Sequence, residues 1–203
     1  MRRALVLWAG AEFKGSCAAV VRHLERERFS CQSTDVGEAW SSTQLWIDEY
    51  PNLMQRADLI VVLSHGGWDG PMIFGGTRNG LSTSPQIGRH YSNLAWPAVC
   101  RWFRNMLTSD GLAMIHACHS AGSNRYESTD GGQAHRWVEE LSSDARIYTV
   151  GVEGVTSSAI GSQSVALLQY ALRGSAPPQA ARAYQPGGRQ AARWGGWLNL
   201  ARR

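Results

Sequence analysis

Apolar residues fall along this chain in two alternating arrangements, short unbroken runs and stripes of helical period. Residues 4–8 (ALVLW), 59–63 (LIVVL) and 111–115 (GLAMI) are runs with no polar face. A strand of that composition must be covered on both sides, which predicts neighbours in a parallel sheet. Residues 145–152 (ARIYTVGV) predict a third central strand after the runs at 59–63 and 111–115, and 29–36 a weaker one. Stripes lie between the strands. In 17–26, Ala18, Val21 and Leu24 share one side while Arg22, Glu25 and Arg26 share the other, which predicts a helix. Further helices are predicted at 40–54, with Ser41 and Ser42 as caps, at 96–107 with Pro97 in the first turn, and at 131–141 and 162–172. A glycine-rich stretch runs from 66 to 88, and its Asn79-Gly80 step predicts a hairpin. No internal repeat is present. Strands alternating with helices predict an α/β fold, an open and mostly parallel sheet with helices on both faces.

In such sheets the working groups lie beyond the carboxyl ends of the strands. That rule selects Ser64-His65-Gly66 after one apolar run and His116-Ala117-Cys118-His119-Ser120 after the next. Neighbouring parallel strands are about 4.8 Å apart, so side chains from both ends can converge on one carbonyl group. A cysteine attacks as its thiolate and needs a base or a positive field beside it. His65 is placed to take the thiol proton or to protonate a leaving amine. The small residues beside these groups let backbone approach closely, and the N–H groups of Gly66 and Cys118 are candidate oxyanion donors. His116, Cys118, His119 and His65 are also candidates for metal ligands, but their spacing fits no known site and no metal is expected. Asp69 reads as a turn residue.

Composition narrows the picture. The chain has 203 residues, 43% of them apolar, enough for one domain with a substantial core. Residues 1–173 read as that domain. Residues 174–203 read as a basic Pro/Gly/Arg-rich extension, docked through Trp194, Trp197, Leu198 and Leu200. The opening MRRALVLWAG imitates a signal peptide, but Glu12 and Lys14 interrupt it and no clean cleavage site follows. It reads as a first buried strand, and a cytoplasmic location is expected. Net charge is +4, and all but one of the 20 basic residues are arginine, the exception being Lys14. No acid follows Glu153. A basic tail is open to nucleic acid or an acidic partner, but a solvated or docked tail is the preferred reading, and neither nucleic acid nor a membrane is expected as a partner. The 4 cysteines form no CxxC pair. Cys17 and Cys100 read as small buried residues, and no disulfide framework is expected.

The blocks VVLSHGG and MIHACHSAG resemble the two signature blocks of the caspase-like cysteine peptidases, the group of caspases, metacaspases, legumains, gingipains and CHAT proteases. ACHSAGS is most similar to the metacaspase cysteine block, and GPMIFGGTRNG matches the hairpin between the blocks. The resemblance spans residues 4–172 and its specific motifs are these two. It implies a caspase-like fold, a thiol endopeptidase with His65 as acid/base, Cys118 as nucleophile and Gly66 as oxyanion contributor, a protein or peptide substrate, no cofactor, and a partner protein as a possible activator. His116 stands where metacaspases carry an acid and caspases a glutamine, a position that lines the specificity pocket. Glu12 and Glu153 are further substrate-binding candidates, as acids for an Arg or Lys side chain. The loop 123–132 lies where caspases are cut, which makes Arg125 a candidate processing point. Two alternatives remain open: a catalytically silent caspase-like scaffold, and a flavodoxin- or amidotransferase-like domain that binds a small molecule.

Overall fold

The continuous apolar runs lie side by side in the middle of a 7-stranded sheet. The computed structural model describes residues 1–36, 56–67, 70–72, 96–122, 136–176 and 180–200. The sheet strands are β1 (Arg2–Trp8), β2 (Phe29–Asp35), β3 (Ala57–Leu63), β6 (Leu107–His116), β7 (Tyr148–Val152), β8 (Ala181–Gln185) and β9 (Arg189–Gln190). Their order is β2-β1-β3-β6-β7-β8-β9. The first five are mutually parallel, and β8 and β9 add antiparallel at one side. A separate two-stranded ribbon pairs β4 (His65–Gly67) with β5 (Gly70–Met72). The fold is α/β, with a mixed, mostly parallel sheet.

Alternation along the strands divides the core in two. Leu5, Leu7, Ile60, Val62, Ala113 and Ile115 face one side, where α2 (Trp96–Met106) and α3 (Trp137–Ala145) cover them. Trp137 is wholly buried there and meets Trp96 and Phe103 edge to face, with ring centroids 5.8 and 5.9 Å away. Ala4, Val6, Leu59, Val61, Leu63 and Met114 face the other side. There α1 (Lys14–Arg26), α4 (Gly161–Arg173) and the short α5 (Trp197–Leu200) cover them. Each fully buried aliphatic side chain contributes about 1.5–3 kcal/mol by leaving water. No helix among the described residues is long and apolar enough to cross a membrane.

Three differences from the sequence expectations have local causes. The helix expected at 131–141 is seen as Trp137–Ala145, stopped by Arg146 in the left-handed region at φ 59°. That stop delays β7 to Tyr148. The segment read as an appended extension supplies β8 and β9, and Tyr184, Trp194, Trp197 and Leu198 are buried in the cores. The helix at 40–54, the Asn79-Gly80 turn and the Arg125 loop lie outside the described residues. Among the described residues, the ribbon pairs His65 with Met72, Gly66 with Pro71 and Gly67 with Gly70.

Candidate active site

The register of the parallel strands brings three loops to one edge of the sheet. Trp8 is level with Leu63, and Leu63 with His116. Residues just after β1, β3 and β6 therefore emerge together. Ala9 donates its N–H to the Leu63 carbonyl at 3.1 Å, and Ser64 its N–H to the His116 carbonyl at 3.4 Å. These bonds prolong the ladder past the last paired residues and fix the three loops against one another.

Gly66 and Cys118 meet through their backbones. A Cβ added to Gly66 would lie 2.1 Å from the Cys118 carbonyl oxygen and 2.7 Å from its nitrogen. The close approach expected of a glycine at this position is real, and it places the chain after β3 directly on the loop that carries Cys118. Pro71, opposite Gly66 in the ribbon, has no N–H to give. Gly66 therefore occupies a non-hydrogen-bonded position, and its own N–H stays outside that ladder.

The loop carrying Cys118 is laced to the chain after β7. His119 and Ala121 donate N–H groups to the carbonyls of Gly154 and Val152 at 2.7 and 3.0 Å, and Gly154 donates to Gly122 at 3.0 Å. The wholly buried Ser120 donates its hydroxyl to Ile115 and accepts the Val152 N–H, both at 3.0 Å. The Cys118 sulfur faces the backbone of Thr156. The Thr156 N–H donates to Sγ, and the thiol donates to the Thr156 carbonyl, each at 3.4 Å.

His65 stands on the other flank, about one-third exposed, with Nε2 2.9 Å from Oε1 of Glu12. His116 does not line an open pocket. It is 1% exposed, with Nδ1 2.8 Å from Ser164 Oγ and Nε2 2.8 Å from Thr156 Oγ1. Ser164 donates its hydroxyl proton to the Ser158 carbonyl at 3.0 Å, so it accepts from His116 Nδ1–H, and Nε2 accepts from Thr156. Ser158 in turn donates to the Ser64 carbonyl at 3.0 Å. A continuous chain of bonds thus runs from Thr156, which contacts the sulfur, through His116, Ser164 and Ser158 to Ser64 beside His65. Of the residues expected to bind substrate, His116 lies buried beneath this edge, bonded to Ser164 and Thr156. Glu153 is engaged by Arg182 at 2.7 Å, and Glu12 by His65. Thr156, Ser158 and Ser164 were not found from the sequence, since isolated hydroxyls in VTSSAIGSQS form no motif.

Burial pushes the His116 imidazole down from the ordinary 6.5 to about 4, so the folded chain keeps it neutral. The unfolded chain takes up a proton as pH falls through about 6.5, and the folded chain resists until about 4. The stability due to neutral His116 is therefore complete above about 6.5 and declines as pH falls across that window. At about 1.4 kcal/mol per pH unit the loss across the whole window is about 3–4 kcal/mol. Urea unfolding at about pH 7 and about pH 5 should show the decline, and His116→Gln should flatten that share of it. An equal slope in the variant would remove His116 as its source.

Among the described residues no three potential metal ligands converge. A cavity of about 720 Å³ lies at the opposite end of the sheet, lined by Arg2, Arg26, Arg28, Arg173, Glu27 and Asp58 among others. Arg173 there is paired with Glu27, and the cavity is remote from Cys118. No family model matches the chain, and no curated protein matches it. The geometry of the edge is what the functional reading rests on.

Proposed function

We propose that the chain is a caspase-like cysteine hydrolase that cleaves peptide bonds, with Cys118 as nucleophile and His65 as acid/base. The observation that carries this reading is the contact of the Gly66 backbone on the Cys118 backbone, which puts the imidazole loop and the thiol loop on adjacent parallel strands. His65 takes the Cys118 thiol proton, and the thiolate so formed attacks the substrate carbonyl carbon and forms a C–S bond. The carbonyl electron pair moves to oxygen, facing the N–H groups of Gly66 and Cys118. Collapse of that oxyanion breaks the C–N bond as His65 protonates the amine. Water, deprotonated by His65, then cleaves the thioester and returns the thiol.

The other described thiols are poor competitors. Burial first, with Asp35 adding to it, pushes Cys17 up to about 11. Burial, helped by Glu25, does the same to Cys31, and Cys100 is buried. Iodoacetamide followed by peptide mapping should modify Cys118 first, and a peptide library should show cleavage that is lost in proportion to that modification. Prompt labelling of Cys17 or Cys31 with Cys118 intact, or cleavage that survives full labelling of Cys118, would overturn the assignment.

One observation favours a second reading, a catalytically silent scaffold of the same fold. The bonds described for the sulfur go to Thr156 and those for the His65 ring to Glu12. Catalytic hydrogen bonds often tighten only when substrate is bound. A Cys118 inert to iodoacetamide in the folded chain would favour the scaffold.

A further inference from the structure

We infer that Gly10, Glu12 and Phe13 form a clamp on the His65 ring, with Glu12 as a positioning residue that holds Nε2–H and leaves Nδ1 for proton exchange with the reacting groups. The role in proton exchange rests on the hydrolase reading above, while the clamp itself rests on three independent features of the loop after β1.

The first is the contact itself, Glu12 Oε1 to His65 Nε2 at 2.9 Å. An ionised carboxylate only accepts, so the shared proton sits on Nε2. In the neutral ring Nδ1 then carries the lone pair. The second is Phe13, which is 1% exposed and meets the His65 ring at 5.1 Å with an interplanar angle of 76°. A buried phenyl packed almost perpendicular to the imidazole restricts its rotation. The third is Gly10. Its φ is 114°, in a region that side chains rarely adopt, and an added Cβ would lie 2.7–2.9 Å from the Glu12 carboxylate. Glycine makes the space into which that carboxylate folds. Phe13 N–H donates to the Gly10 carbonyl at 3.0 Å, closing the turn.

The pair's energy is not its significance. Side chains 38% and 37% exposed form an ion pair worth little to stability. What the contact controls is which nitrogen is protonated and where the ring points. The acid expected from the sequence to line a substrate pocket is thereby given a different role.

The test uses the full chain in three forms, wild type, Glu12→Gln and Glu12→Ala, with ¹⁵N-labelled histidine. In wild type the ring nitrogens of neutral His65 should give separate signals, Nε2 protonated and Nδ1 not. Glu12→Ala should bring them toward the averaged values of a freely exchanging ring, with Glu12→Gln, which keeps an acceptor oxygen, in between. On a cleaved peptide, Glu12→Ala should lower kcat about tenfold to a hundredfold with KM little changed. That is less than the about 10⁴-fold loss caused by removing a fully buried orienting carboxylate. Nδ1 protonated in wild type, or ring signals identical in all three chains, would overturn the clamp. A chain that cleaves no peptide yet shows the Glu12-dependent ring signals would refute the hydrolase reading and leave the clamp standing. Gly10→Ala, which does not touch His65, should reproduce the Glu12→Ala signals, because it evicts the same carboxylate.

Discussion

Cys118→Ala is expected to abolish peptide cleavage, with a loss of about 10⁴-fold or more, while the folded chain stays intact. The large number follows from the proposed chemistry, since Cys118 is the cysteine that the described residues place at this edge, and nucleophile removal in comparable sites costs at least that much. The small structural effect follows from the contacts. The sulfur is half-buried and meets the Thr156 N–H and carbonyl at the long distance of 3.4 Å, so its loss costs about 1 kcal/mol. Cys118→Ser separates chemistry from packing. The hydroxyl keeps a donor and an acceptor for Thr156 but is not ionised near neutral pH, so this variant should be as stable as wild type and as inactive as the alanine form. Substantial cleavage by either variant would eliminate Cys118 as nucleophile.

Gly66→Ala should be the most damaging single methyl group at this edge. Its Cβ would lie 2.1 Å from the Cys118 carbonyl oxygen and 2.9 Å from the carbonyl carbon. Those are backbone atoms, which no rotamer change can move aside, so the two loops must separate. Overpacking of this kind costs about 1–3 kcal/mol and sometimes more, and the separation should also move both proposed oxyanion donors. Urea unfolding and Cys118 alkylation rates would read the two effects. Gly15→Ala is the control. It lies in α1 with nothing within 4 Å of the added carbon, so it should stabilise the chain by about 0.5–1 kcal/mol. A Gly66→Ala chain as stable as wild type would show that the loops do not meet as described.

Legibility in the sequence followed burial on two faces. Leu59–Leu63 and Leu112–Ile115 could be read because a strand covered on both sides has no room for polar residues, and β3 and β6 prove to be adjacent. The last two strands were not read as strands. Ala181–Gln185 (ARAYQ) carries arginine and small residues, and Arg189–Gln190 is exposed, a composition that also suits a solvated tail. The site divides the same way. His65 and Cys118 were visible because each directly follows an apolar strand. Their supports were not, since the Glu12 contact depends on a turn whose shape Gly10 sets, and the hydroxyl chain through Thr156, Ser164 and Ser158 depends on how α4 packs under β6. Neither arrangement has a sequence period.

The antiparallel pair β8 and β9 bears on how the chain emerges during synthesis. Until residues 181–185 have left the ribosome, β7 has no partner on its outer side, and its open N–H and carbonyl groups invite a strand from another molecule. The nascent protein must therefore pass through a sticky interval in which the strand ends carrying His65 and Cys118 are already in place beside an unsealed seam.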